Sequence, residues 1–143
     1  MTADRAGLLD TNTLILLSRL QDPAALPEQL LISTITLAEL SVGSLVATDD
    51  RERAARLAHL QQAEADFDPL PFDVDAARAF GQVAASLRRS GRKASARAYD
   101  AMIAAIALAN GLPLYTCNPD DFAGIDGLQV VAVMHPDRAS GAD

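Results

Sequence analysis

Short apolar clusters alternate with helix-period stretches from one end of this sequence to the other, and this alternation restricts the fold more than any other feature. A chain of strand, helix, strand repeated in order builds an α/β domain, with a central, mostly parallel sheet of four or five strands flanked by helices. Gly7-Leu8-Leu9 predicts a short buried strand ending at Asp10, and residues 12–20 carry apolar side chains at helical spacing until Pro23. Residues 30–35 predict a second strand. The helix that follows can be capped by Thr36, with Leu37, Leu40, Leu45 and Val46 facing inward and Glu39 in its first turn.

Residues 49–66 are charged and alanine-rich, with Leu57 and Leu60 on one side of a surface helix. Pro69 and Pro71 break that pattern and suit a short edge strand over 70–74, after which 75–89 predicts another helix ending before Gly91. Residues 90–95 form a polar, basic connection. From 97 to 110 the chain is helical and nearly all apolar, and Gly111 closes it. Residues 112–117 and 128–133 supply two further strands.

A length of 143 residues fits one domain over 1–143, with its core at about 7–133 and a frayed tail at 136–143. The longest apolar runs, such as 14–17 and 101–109, are too short for a bilayer, which takes roughly 18–20 residues. The first seven residues lack the layout of a signal peptide, so the expected location is the cytoplasm, with no membrane contact. Cys117 is the single cysteine and has no internal disulfide partner. The formal charge of −7 excludes a protein that coats nucleic acid by bulk electrostatics. Contact with nucleic acid must therefore be local.

Asp10 sits at a strand end of the kind where open parallel sheets bind ligands, and it can equally cap the next helix in competition with Asn12 or Thr13. Thr36-Leu37-Ala38-Glu39 has the form of a capping box, and a glutamate there can also face a cleft. Asp100 shares a helix face with Ile103, Ala104 and Ala107, so its charge approaches the core. Burying an unpaired carboxylate costs several kcal/mol, so Asp100 needs a metal, strong hydrogen bonds or a cation such as Arg97. Thr116-Cys117-Asn118-Pro119-Asp120-Asp121-Phe122 packs a hydroxyl, an amide and two carboxylates into one loop after a strand, in a composition that ordinary turns share. Arg88, Arg89, Arg92, Lys93 and Arg97 hold five of the 12 basic residues just before Asp100. Such a patch suits phosphates, although charge runs are usually solvated faces. His59 and His135 lie far in sequence from these acids, and Cys117 reads as a packed thiol because no histidine is placed to activate it.

Taken together, Leu8-Leu9-Asp10-Thr11-Asn12, Thr36-Leu37-Ala38-Glu39-Leu40, Tyr99-Asp100-Ala101-Met102-Ile103-Ala104 and the 114–122 segment resemble the PIN-domain family, and within it the VapC-type toxins. The resemblance runs from about Gly7 to Val133. It implies a metal-dependent endoribonuclease acting on structured RNA (tRNA or rRNA), a homodimer, and a cognate VapB-type antitoxin through which alone the chain meets DNA. By the same resemblance Asp10, Glu39 and Asp100 match the acids that hold Mg²⁺ or Mn²⁺, and Thr116 matches a hydroxyl lining the site. Where many members carry a fourth aspartate this chain has Asn118, so either Asp121 substitutes or Asn118 serves as a neutral ligand, or only one metal binds firmly. Asn12 supports the site, and Arg92, Lys93 and Arg97 would steady the RNA backbone. Cys117 replaces an arginine common in the family. Two rivals stand beside this reading: a catalytically silent PIN-like module that binds RNA or a partner, kept open by Asn118, and a haloacid-dehalogenase-like phosphatase with Asp10 as nucleophile. The phosphatase motif would need an aspartate where Asn12 stands.

Overall fold

The computed structural model describes residues 5–139. Its centre is a four-stranded, wholly parallel sheet in the order β2-β1-β3-β4, formed by β1 (Ala6–Leu9), β2 (Gln29–Leu31), β3 (Leu114–Thr116) and β4 (Val130–Ala132). Because successive side chains of a strand point to opposite faces, Leu8 and Leu9, both fully buried, enter different cores. Leu8 joins Leu114, Val83 and Ile103 beneath helices α4 (Val74–Arg89) and α5 (Ala98–Ala109). Leu9 joins Ile32, Leu40 and Ala63 beneath α2 (Thr34–Leu45) and α3 (Asp50–Asp66). The sheet is therefore covered on both faces, as parallel strands require.

The order 2-1-3-4 matters for function. From β1 the chain crosses to β2 on one side, and later returns through α5 to β3 on the other. A crevice opens at the carboxyl ends of two strands where the winding reverses in this way. Here those strands are β1 and β3, so the residues just after them, Asp10 and the 116–122 loop, flank the crevice. Gly7 allows the two strands to lie this close, because a Cβ there would overlap the Tyr115 ring. Gly111, at φ +64, ends α5 in the left-handed conformation that the sequence predicts.

Several local expectations are corrected. The predicted 12–20 helix is shorter: α1 spans Thr11–Ile15 and gives way to a 3-10 turn at Leu17–Arg19. The cap of α2 is Ser33, whose Oγ accepts from the Thr36 amide at 3.2 Å, so the helix starts two residues before Thr36. This removes the capping box, since Glu39 then lies in the second turn. It also resets the buried stripe to Thr36, Leu40 and Ser44, leaving Leu45 and Val46 80% and 62% exposed where they were expected inside. Residues 70–74 form no strand; Leu70 makes one bridge to Ser33, and Asp73 caps α4 instead. Pro136–Ala139 forms a short helix, α6, in place of a frayed tail, held by Arg19 on Asp137 at 2.6 Å; residues 140–143 of that tail lie outside the described residues. No helix among the described residues is long and apolar enough to cross a membrane.

Candidate active site

Asp10 leaves β1 as the N-cap of α1. Its Oδ1 accepts from the Thr13 amide at 3.1 Å and its Oδ2 from Thr116 Oγ1 at 2.8 Å, and the residue is 3% exposed. The capping role and the cleft role are thus one geometry: the cap bond fixes the carboxylate, and the hydroxyl at the end of β3 orients it. Thr116 Oγ1 also accepts from the Asn118 amide at 2.9 Å, which ties the start of the following loop to the same point. On the other side of this junction, the Cys117 amide donates to Thr13 Oγ1 at 2.9 Å. Two threonines from α1 and β3 therefore sew the central strand ends together.

Glu39 reaches the cleft from the second turn of α2. Thr11 Oγ1 donates to its Oε1 at 2.5 Å and lies 3.0 Å from Thr36 Oγ1, so the buried chain runs from the Thr36 hydroxyl through Thr11 to the carboxylate. The sequence alone did not single out Thr11 or Thr13 as site residues. Their partners, Glu39 and Cys117, lie on other elements, so no local pattern marks them.

Asp100 lies in the first turn of α5, above the fully buried Ile103, Ala104 and Ala107, as its helical face predicts. Its side chain keeps 24% of its exposure and opens into the cleft. Asp121, in the 3-10 turn Pro119–Phe122, has the same 24% exposure and faces Asp100, while Phe122 plugs the core behind it. Arg97 closes the pair, with Nη1 3.0 Å from Asp121 Oδ1 and 3.8 Å from Asp100 Oδ2. Both readings of Asp100 thus meet in one place: it has a cation, and it borders a cleft.

Three of the carboxylates are raised by burial and by neighbouring negative charge. Burial raises Asp100 from its ordinary value to about 6, helped by repulsion from Asp121, Asp10 and Glu39 and opposed by Arg97. Burial also raises Asp10, against the bonds from Thr13 and Thr116, and Asp121 pushes the same way. Glu39 is raised by burial and by Asp10, with Thr11 pulling it down. Asp121 adds negative charge to this field, and Asn118 contributes its backbone amide to Thr116. Cys117 is 1% exposed and its thiol is raised by burial, the state of a packed side chain and not of a nucleophile.

Among the described residues, no three His, Cys, Asp or Glu side chains converge closely enough to coordinate one ion by themselves. Magnesium does not demand this, since it keeps several waters and is bound by one or two carboxylates together with substrate phosphate. The donors present are hard oxygens, their charges repel, and a guanidinium already stands between two of them as a cation would. The donor set fits a hydrated divalent ion. Arg92 and Lys93 border the cleft beyond Arg97, lining a cavity of about 320 Å³ with Asp100 and Asp121. His59, remote in sequence, lines another with Glu39, Thr11 and Asn12. His135 stays away from the acids, beside Asp137.

A family model for the PIN domain matches residues 8–128. The chain is 41% identical to "Ribonuclease VapC5" of Mycobacterium tuberculosis over 93% of its own length and 97% of that protein. It is 33% identical to "tRNA(fMet)-specific endonuclease VapC" of Shigella flexneri, covering 85% of this chain and 93% of that one. Its fold superposes on the crystal structure of VapBC-5, a member of the VapBC family of toxin–antitoxin systems from Mycobacterium tuberculosis, with a TM-score of 0.78. That match has 41% identity and covers 90% of this chain and 99% of the other.

Proposed function

Because the chain belongs to the PIN-domain family, we propose that it is the endoribonuclease toxin of a VapBC-type pair, dependent on Mg²⁺ or Mn²⁺ and acting on structured RNA. The observation that carries this reading is the meeting of Asp10, Glu39 and Asp100, with Asp121 beside them, at the switch point of a parallel sheet, where burial and neighbouring negative charge raise the first three above their ordinary pKa. A cluster of that charge draws a divalent cation, and a phosphodiester is the substrate whose cleavage such a cation assists. The named relatives, a VapC ribonuclease and a tRNA-specific endonuclease, support the same substrate class.

Asp10 and Asp100 would hold the metal, with Asp121 beside them. When bound, the ion supplies a water of lowered pKa and neutralises charge gathering on the scissile phosphate. The remaining work falls to the chain. Thr13 and Thr116 fix the Asp10 carboxylate so that it reorganises little on loading. Glu39, held by Thr11, orients the attacking water or takes its proton at the free oxygen, and burial raises its pKa in the direction that strengthens it as a base. Arg97, Arg92 and Lys93 steady the RNA phosphates. A VapB-type antitoxin silences the enzyme and carries any contact with DNA, and the toxin works as a homodimer in the cytoplasm.

The test is cleavage of total bacterial RNA by antitoxin-free protein with Mg²⁺ or Mn²⁺, beside EDTA and Asp10→Asn controls, with products mapped by end sequencing. Discrete cuts lost in both controls are expected. No cutting by folded, metal-bound protein would sink the reading in favour of a silent binding module.

A further inference from the structure

Beyond the carboxylates lies a second, larger cavity of about 710 Å³ between the last two turns of α4 and the loop that follows it. Alanines 84, 85 and 94 contribute its apolar walls, and Arg88, Arg92 and Lys93 its cations. No carboxylate lines it, in a chain whose formal charge is −7. Arg92 and Lys93 also line the cavity that contains Asp100 and Asp121, so the two spaces share a wall.

The cations of this region are not equivalent. Arg89 is taken by Asp126 at 2.5 Å, and Arg97 by Asp100 and Asp121. Arg92 donates to the carbonyls of Asp120 and Ala123 at 3.0 and 3.4 Å, which fixes the shared wall and the loop that carries Asp121. Arg88 and Lys93 have no acid or carbonyl partner among the described residues. They are the unspent charges, one on the helix and one on the loop, on either side of a small-residue floor.

We propose that this cavity is a nucleotide subsite of the RNA-binding track, one step removed from the scissile phosphate. Arg88 and Lys93 grip the backbone phosphates there, and a splayed base lies against the alanine methyls. The inference rests on the ribonuclease reading, because the wall shared with Asp100 and Asp121 is what aligns the two spaces along one strand. The cavity lies within the range of about 300–1,000 Å³ that accommodates a whole small ligand, which suits one unstacked nucleotide. Single-stranded or looped RNA is therefore its ligand. Arg88 also lies at the C-terminal end of α4, where a cation stabilises the helix dipole, and the test must separate that role from binding.

The measurement is fluorescence anisotropy of a labelled tRNA anticodon stem-loop on full-length Asp10→Asn protein in EDTA, titrated at several salt concentrations, with and without Arg88→Ala and Lys93→Ala together. Cleavage of the same RNA is followed in the Asp10 protein with Mn²⁺. The paired substitution is expected to weaken RNA binding roughly 10-fold and to reduce the salt slope by about 1.4, since each phosphate of single-stranded RNA that is no longer neutralised removes about 0.7. The KM of cleavage should rise in parallel, and Arg88→Lys with Lys93→Arg should restore binding. A role in the helix dipole alone would lower the melting temperature and leave the salt slope unchanged, which overturns the proposal. So does a charge-conserving pair that binds as poorly as the alanine pair. If wild-type protein cleaves RNA while the alanine pair binds and cleaves as it does, only the subsite falls. If wild-type protein neither binds nor cleaves, the ribonuclease reading falls with it.

Discussion

Arg97 Nη1 stands 3.0 Å from Asp121 Oδ1, so a cation from the edge of α5 reaches the one acid of the cleft that comes from the loop after β3. The same guanidinium lies 3.8 Å from Asp100. Arg97 therefore occupies, in charge if not in position, the role that a divalent ion would take over, and the two must compete. Arg97→Gln should bind Mn²⁺ more tightly than wild type in isothermal titration. Exposed pairs are worth about 0.2–1 kcal/mol, so the gain should be about 1.5- to 5-fold. Cleavage should fall nonetheless, because the freed arginine serves the phosphate. Weaker Mn²⁺ binding would show instead that Arg97 holds Asp121 in place.

Asp100 titrates at about 6 in the folded chain, above the ordinary 3.8. Between those values the folded form keeps a proton that the unfolded form releases, so stability falls as pH rises through this window and is lowest above it. Asp100→Asn should then melt at a higher temperature than wild type at pH 7.5 without metal. The gain should be about 1–3 kcal/mol at about 1.4 kcal/mol per pKa unit, and the difference should vanish below about pH 4. The same proton competes with metal, and wild-type Mn²⁺ affinity should drop about tenfold per pH unit below about pH 6. Calorimetry across about pH 4–8 checks both, and a destabilised asparagine variant would contradict the assigned repulsion.

Thr11 is 8% exposed and its hydroxyl lowers the Glu39 pKa. Thr11→Val preserves the shape, removes that bond and strands the Thr36 hydroxyl. It should cost about 1–3 kcal/mol in urea unfolding. It should also move the acid limb of the pH–rate profile upward, because Glu39 then ionises less readily. An unmoved profile would remove Glu39 from the proton transfer.

The fold was largely legible in the sequence because Leu8-Leu9, the 114–116 strand and the apolar α5 carry patterns that only a buried parallel sheet satisfies. The placement of Asp10 at a strand end and of Asp100 on an otherwise apolar helix face was legible too. Boundaries were not. Ser33 and Thr36 both suit a cap, and nothing local decides between them; Ser33 wins where Leu70 bridges it from 37 positions away. That choice rotated α2, turning Leu45 and Val46 to the surface. Thr11 and Thr13 were hidden for a related reason: their partners, Glu39 and Cys117, belong to other elements, and pairing across elements leaves no periodic trace. The nearness of Asp121 to Asp100 and Arg97 was hidden on the same ground, since only the folded chain brings the 119–122 turn to the start of α5.

The bond from Thr116 to Asp10 joins positions 106 apart, and this separation bears on how such a protein is made. Translation delivers Asp10 well before β3, by the 106 positions that separate Asp10 from Thr116. Until β3 slots in beside β1, the carboxylate lacks its orienting hydroxyl, and Asp121, in the turn that follows β3, is not held at the cleft. A ribosome that stalls before that point carries a chain with no assembled cleft, so whatever chemistry the cleft performs waits for β3.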